Sequence, residues 1–235
     1  MAFDTISPGI TLVGKFGKWQ TGIWILSHNE ECAIIEMPDV LDSDLITNPW
    51  DQIRTHINDE KLRLKFITAT HDSPDHFSTY RQFHKRFPYA PIVVTRHFSQ
   101  RGDIKNFIIP QDLQDGLPEP SITSKDVPIY CFDGELFEAA LGGEPVYLLH
   151  APKYSKADTL VIFRGCLITA DWWLGPGDPN PNNTPNSVVN ESIDRLEDFC
   201  QEKNYKIHSI FSAHANEFRR DVNFNELMES TRPWR

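Results

Sequence analysis

The stretch Lys65 to Tyr80, KFITATHDSPDHFSTY, sets His71 at the end of an apolar run, with Asp75 and His76 close behind. Two more polar residues stand at equivalent points, Asp171 after CLITA and His214 after IFSA. Imidazole nitrogens and carboxylate oxygens are donors that suit zinc, iron or manganese, and a lone one binds weakly, so metal chemistry needs several brought together. Strand ends can do this, because a rigid sheet fixes its terminal side chains while the loops between them contact a substrate. Each residue also has an ordinary explanation. Asp75 suits the first turn of any helix, His71 can be a satisfied histidine under a loop, and Asp171 and His214 can each begin a turn. Residue types and spacing leave three readings open: a metal site, the remains of one, or a polar loop with a capped helix behind it.

The elements that must position these groups are legible as periodic runs. GITLVGKF and GIWILSHNEECAIIEMP read as strands, the second a hairpin turning at SHNEE. NPWDQIRTHINDEKL reads as a short helix with Asn48 as its cap and Pro49 at its first position. LKFITAT is a buried strand. Ser73 is then placed to cap a helix predicted from about Pro74 to Phe87, with Pro74 first and Asp75 and His76 in its opening turn. APIVVTR follows as a strand, and Ser99 to Val127 reads as short strands and an irregular connection. PIYCFD, EPVYLLHAP and TLVIFRGCLITADWW are further strands, the last a hairpin turning at Arg164 and Gly165. Leu174 to Asn186, LGPGDPNPNNTPN, is dense in turn formers and reads as a loop able to wall a site. SVVNESIDRLEDFCQEK carries Val189, Ile193, Leu196 and Phe199 on one helical stripe. KIHSIFSAH is the last long strand, and a short helix is expected around Phe224 to Glu229. Strands followed by a sheet-covering helix occur in both halves, which suits an α/β fold of two sheets packed face to face with helices outside, as one domain over residues 1–235.

Composition narrows the function classes. The 23 basic and 33 acidic side chains give a formal net charge of -10, a sign that repels nucleic acid and anionic lipid. The densest basic segment, YRQFHKRF, is interleaved with aromatics at helical spacing and reads as a helix packed by Phe83 and Phe87 with a solvated basic face. No apolar run approaches the ~20 residues that span a bilayer, and MAFDTISPGITL lacks the basic flank and apolar stretch of a secretion signal; a cytoplasmic protein is expected. Cys32, Cys131, Cys166 and Cys200 are too widely spaced for a zinc knuckle or a redox dithiol and are expected to be reduced thiols. LGGEP is followed by a strand and reads as a turn rather than a phosphate loop.

On these residues the sequence resembles the metallo-β-lactamase fold superfamily, over nearly the whole chain. That family is an αββα sandwich, two mixed β-sheets face to face with helices on both outer faces, with a His-x-His-x-Asp-His motif after an early strand. HDSPDH carries this motif onto His71, Asp75 and His76, with Ser73 where the second histidine stands. LITAD matches a late strand-ending aspartate at Asp171, and FSAH a final histidine at His214. In the third segment the family commonly reads His-Thr-Pro-Gly-His-Thr-Pro-Gly-Ser, whereas this chain reads HAPKYSKAD. Aligned without a gap, His150 meets the first, non-ligand histidine and Tyr154 meets the ligand.

The resemblance implies His71, Asp75, His76, Asp171 and His214 as metal ligands. The first of the family's two sites keeps only His71, and the second keeps Asp75, His76, Asp171 and His214. It therefore implies one divalent ion, zinc with iron or manganese as alternatives, and a hydrolase using a metal-activated water on an ester, thioester, lactone or phosphodiester. Asp75 would orient that water or take its proton, Tyr154 or His150 would donate to developing negative charge, and Lys153 and Lys156 could attract an anionic substrate. Trp172 and Trp173 could line an apolar wall of the site. The expected partner is a small-molecule substrate, with no nucleic acid and no membrane; a homo-oligomer is left open. The alternative is a non-catalytic protein that keeps the sandwich as a binding or structural partner.

Overall fold

In the computed structural model, residues 3–41, 48–98, 105–108, 127–173, 184–212, 214 and 218–231 are described. Two sheets form. The first contains β1 (Asp4–Ser7), β2 (Ile10–Phe16), β3 (Thr21–His28), β4 (Glu31–Ile35), β5 (Arg63–Thr68), β6 (Ile92–Thr95), β7 (Lys105–Ile108) and β8 (Pro128–Phe132), in the order β1-β2-β3-β4-β5-β6-β8-β7. The second contains β9 (Leu136–Leu141), β10 (Glu144–His150), β11 (Thr159–Phe163), β12 (Cys166–Ile168), β13 (Ser209–Phe211) and β14 (Phe218–Arg220), in the order β14-β13-β12-β11-β10-β9. Both are mixed. Antiparallel pairing runs from β1 to β4 and parallel pairing from β4 onward, while in the second sheet β12 and β13 form the parallel pair.

Period-two alternation sorts the strand side chains into layers. In β3, Trp24 and Leu26 enter the layer between the sheets with Val146 and Leu148 of β10 and Phe211 of β13, while Ile23 and Ile25 face outward. The outer face of the first sheet is covered by α1 (Pro49–Asp59), α2 (Pro74–Phe77) and α3 (Tyr80–Arg86), through Ile53, Ile57, Phe77 and Phe83. That of the second is covered by α4 (Asn186–Glu202) and α5 (Phe224–Thr231); the predicted stripe Val189, Ile193, Leu196 and Phe199 is buried there with Trp172 and Trp173. Each fully buried large side chain contributes about 1.5–3 kcal/mol, so apolar layers on three levels hold the strand ends rigid. The result is the expected αββα sandwich.

Local signals explain most boundaries. Asn29 and Glu30 both take positive φ, at 42° and 65°, and join β3 to β4 as the two-residue turn whose twist matches the strands. Asn48 accepts the Asp51 N–H and Pro49 opens α1. The helix predicted from Pro74 to Phe87 is instead broken into α2 and α3. At the break the Thr79 N–H donates to the Met37 carbonyl at 3.0 Å and its hydroxyl to the Pro38 carbonyl at 2.8 Å, so contacts from a distant segment replace one helical turn. Cys32, Cys131 and Cys166 are buried free thiols and Cys200 is half-buried. Most of the irregular stretch from Ser99 to Val127, and residues 174–183 of the proline-rich loop, lie outside the described residues.

Candidate metal centre

The topology brings the polar strand ends to one end of the sandwich. Because β4 and β5 are parallel, Glu36, which follows β4, lies beside the segment that carries His71 beyond β5. Because β12 and β13 are parallel, Asp171 and His214 leave the same end of the second sheet. Antiparallel neighbours add the start of β3 at Thr21, the end of β10 at His150 and the start of β11 at Thr159, with Asp158 just before it. The Thr159 N–H donates to the Thr70 carbonyl at 2.8 Å, tying the two sheets together beside the site. Asp171 sits in a short 3-10 turn, Ala170–Trp172, and Asp75 and His76 in α2.

Asp75, His76, Asp171 and His214 each offer a donor atom, and these atoms lie within 4.8 Å of one another. His76 Nε2 is 3.4 Å from Asp75 Oδ2 and 3.4 Å from Asp171 Oδ1. His214 Nε2 is 2.8 Å from Asp171 Oδ1 and 3.9 Å from Asp75 Oδ2. His76 is wholly buried, and its ring nitrogens and Asp171 Oδ1 meet their neighbours as ion-pair contacts without a well-formed hydrogen bond. Buried polar atoms are nearly always paired, and an unpaired one costs about 1–3 kcal/mol. Two imidazoles and two carboxylates facing one another are a donor set that fits a divalent ion such as zinc, iron or manganese.

Each histidine is anchored on its other nitrogen. His71 Nδ1 is 2.7 Å from Asp158 Oδ1, His76 Nδ1 is 3.2 Å from Glu36 Oε1 in ion-pair contact, and His214 Nδ1 is 3.2 Å from the Thr21 hydroxyl. The three rings follow one another edge to face, with centroids 5.3 Å apart from His71 to His76 and again from His76 to His214. Glu36 is itself wholly buried and held by the hydroxyl and N–H of Thr70. Its backbone takes φ 77°, a left-handed conformation that costs a side-chain-bearing residue roughly 1–2 kcal/mol. Supporting groups of this kind fix the ring's orientation and tautomer. Glu36→Gln is therefore expected to weaken zinc affinity about 10–100-fold, read by competition with a chelating dye; unchanged affinity would remove Glu36 from the site.

Electrostatics in the metal-free protein follow from this crowding. Burial opposes a charge on His76, but Glu36, Asp171 and Asp75 outweigh it and raise its pKa well above the ordinary imidazole value. Burial likewise works against ionised Asp75, yet His76 and the Ser73 hydroxyl bring it down to about 2. Asp171 is pulled far below the carboxylate range by His214 and His76 despite its burial. Protonated histidine and ionised carboxylates thus compensate one another where an ion would otherwise sit.

Several expectations change. His71 lies beside the group of four rather than in it: its ring is in edge contact with that of His76, and its Nδ1 is anchored on Asp158 as those of His76 and His214 are on Glu36 and Thr21. Ser73 starts α2 through its carbonyl, which accepts from His76 and Phe77, while its hydroxyl donates to Asp75 rather than capping the helix. His150 is directed elsewhere: its Nε2 pairs with the Lys156 carbonyl at 2.7 Å, its Nδ1 faces Arg195 at 3.3 Å, and its ring stacks on His97 at 4.3 Å. Lys153 turns inward, its ammonium donating to the Trp172 carbonyl at 2.5 Å, so only Lys156 of that pair is exposed. Trp172 and Trp173 are both in the core under α4 instead of walling the site. Tyr154 does reach the site, its ring 5.3 Å from that of His71. Burial and the nearby Asp171, Asp75 and Asp158 raise its pKa, which keeps its hydroxyl protonated. Glu36, Asp158 and Thr21 were not singled out in the sequence, although Glu36 ends the apolar run AIIE in the same way as the chosen residues.

No family model matches the sequence, and no curated protein matches it significantly. Solved structures do match. A metallo-β-lactamase from Pontibacter korlensis is 13% identical, with 99% of each chain covered and a TM-score of 0.66. A metallo-β-lactamase family protein from Thermus thermophilus is 15% identical, covering 96% of this chain and 80% of that one at a TM-score of 0.61. A Cronobacter sakazakii metallo-β-lactamase with a HARLDQ motif is 18% identical, covering 99% of this chain and 92% of that one at a TM-score of 0.62. With its two mixed sheets, its outer helices and, at one end, a group of side chains able to hold a metal ion, the chain has the metallo-β-lactamase fold in a form widely diverged in sequence.

Proposed function

We propose that the protein is a metal-dependent hydrolase holding one divalent ion, zinc before iron or manganese, on Asp75, His76, Asp171 and His214. Its substrate is a small molecule with an ester, thioester, lactone or phosphodiester bond. The observation that carries this reading is the convergence of the four donor atoms within 4.8 Å of one another, with the wholly buried His76 Nε2 3.4 Å from Asp171 Oδ1. A single ion is supported by what stands where a second would need imidazoles: Ser73 bonds to Asp75 and Tyr154 brings a phenol, which leaves His71 as the one imidazole there.

A bound divalent ion supplies Lewis-acid polarisation and lowers the pKa of a water from about 15.7 toward about 7. The chain's own side chains then divide the remaining work by depth. His76 and Asp171 are the buried holders, with His214 steadied by Thr21. Asp75 keeps the most exposed side chain of the four, 17% against 11% for His214, and so stands at the mouth, where its carboxylate orients the attacking water. Tyr154 donates its hydroxyl to the negative charge that develops on the substrate oxygen.

Metal binding carries a proton signature. Asp75 and Asp171 are already ionised well below neutrality, whereas His76 holds its proton in the metal-free protein. Binding near neutral pH must expel that proton. Affinity for zinc is expected to rise about tenfold per pH unit until the raised pKa of His76 is passed, as followed by calorimetry in buffers of different ionisation enthalpy; a pH-independent affinity would contradict the assignment of His76.

The deciding experiment is metal analysis of protein purified without added ions, followed by assays of the zinc-loaded protein on thioesters, lactones and phosphodiesters. About one equivalent of metal and turnover of one substrate class are expected. Failure to bind zinc, iron or manganese when offered would leave a binding or structural protein instead, and an ion bound without turnover would reduce the site to structural use.

A further inference from the structure

His150 and His97 lie outside the four-donor group and join the two sheets. His150 ends β10 in the second sheet and His97 follows β6 in the first, and their rings lie parallel, with centroids 4.3 Å apart and planes at 7°. The partners of His150 fix its protonation. Its Nε2 faces the Lys156 carbonyl at 2.7 Å, which only accepts, and its Nδ1 faces the Arg195 guanidinium at 3.3 Å, which only donates. The hydrogen is therefore on Nε2 and the lone pair on Nδ1. Both nitrogens are engaged, which leaves His150 none for an ion. A second proton would have to enter at Nδ1, against the guanidinium and beside a second imidazole. Burial, His97 and Arg195 lower the pKa of His150, with the Lys156 carbonyl and Asp158 opposing. Burial, Arg96, Arg195 and Lys156 lower that of His97 against Asp133. Arg195 is itself paired with Glu135 and Glu191, and Arg96 with Asp133.

The His150 ring is a strut of the loop that carries Tyr154. The His150 N–H donates to the Glu135 carbonyl at 2.7 Å and the Arg195 guanidinium donates to the His150 carbonyl at 3.1 Å, so the backbone is pinned at the strand end. From there the ring reaches the Lys156 carbonyl and closes the segment 150–156. Just beyond that segment, Asp158 Oδ2 accepts the N–H groups of Lys153, Tyr154 and Ser155 at 3.0, 2.5 and 2.9 Å. Asp158 thus sets the shape of the loop, and His150 sets where it stands against α4 and the first sheet. Tyr154 extends from it to the site, its ring 5.3 Å from that of His71.

We infer that His150, as the neutral imidazole, is a positioning residue for the proposed hydrolysis, holding the 150–158 loop where the Tyr154 hydroxyl meets the reacting oxygen. The inference rests on the hydrolase reading above, in which Tyr154 donates to developing negative charge, and adds the residue that places it. A proton taken up at Nδ1 removes the acceptor that Arg195 meets and sets a cation against both Arg195 and His97. In acid the loop therefore loses its strut and the site its donor.

The test uses the full chain loaded with zinc. Nitrogen NMR of ring-labelled histidine near neutral pH is expected to show His150 protonated at Nε2 alone. Tyr154→Phe is expected to lower kcat about 10²–10³-fold, and His150→Ala to keep its zinc and lose at least about tenfold in kcat. In the Tyr154→Phe background, His150→Ala is expected to cost nothing further, because the hydroxyl that it places is already gone; a merely structural role would lower the rate alike in both backgrounds. His150→Gln brings an amide N–H that can donate to the Lys156 carbonyl but takes up no proton. It is expected to recover most of the rate that His150→Ala loses, with the acid limb of its kcat profile shifted to lower pH than in the parent. A hydrogen on Nδ1, full kcat or lost zinc in His150→Ala, additive losses in the double variant, or an unshifted acid limb in His150→Gln would overturn the inference while leaving the hydrolase reading in place. Absence of turnover by the zinc-loaded unsubstituted chain would end both, and is distinguished by its appearing before any substitution is made.

Discussion

His76→Ala is expected to leave a protein that no longer retains a divalent ion. Its loss of affinity should exceed the roughly 10–100-fold attached to a supporting residue such as Glu36, because one of four proposed donors goes and the three left are two carboxylates and one imidazole. The geometry singles out His76 among them: it is the donor in contact with Glu36 and with both site carboxylates. A second consequence appears without metal. His76⁺ balances Glu36, Asp75 and Asp171 in a buried setting, and breaking such a buried set costs about 3–5 kcal/mol. Its sign with pH follows from the raised folded pKa. The stabilisation is fully present below the unfolded value of about 6.5 and disappears as pH rises through the folded one. Urea unfolding of chelator-treated protein should therefore separate His76→Ala from the parent most at mildly acid pH and least in alkali. Full metal stoichiometry in the variant, or a destabilisation that grows with pH, would remove His76 from the centre.

The donors are legible in the sequence because each sits where an apolar run stops, and a period-two strand pattern fixes where its last residue emerges. Asp171 and His214 are read in this way, and the parallel pairing of their strands then makes them neighbours. What surrounds them is less legible. Glu36 ends AIIE by the same rule but is followed by Met and Pro, and nothing local marks its left-handed backbone or its contact with a histidine forty residues away in sequence. Asp158 precedes its strand instead of ending one, and its role comes from folding back three amides of its own loop. His150 shows the reverse failure: its position aligns with a family histidine, but the direction of its ring is set by Arg195 from α4 and the Lys156 carbonyl. The split of the helix after Phe77 has the same origin, since the carbonyls of Met37 and Pro38 compete for Thr79. Local pattern places residues at an end of the sandwich; tertiary hydrogen bonds decide which of them point inward.

Asp75→Asn is the second large effect expected, a fall of about 10²–10⁴-fold in kcat with the ion still bound. Asparagine keeps the carbonyl oxygen, the side-chain volume and the position in α2, so a ligand contact can survive the change. It loses the anion. Asp75 is held ionised down to about pH 2 by His76 and Ser73, and its Oδ1 is occupied by the Ser73 hydroxyl, leaving Oδ2 directed at the two histidines. Whether it orients the water or receives its proton, the work needs a charged acceptor at the mouth, and an amide that presents N–H there would turn the water away. Zinc content and kcat measured on the same preparation separate this from a failure to load. A variant that binds zinc and retains its rate would show that the carboxylate serves only to hold the ion.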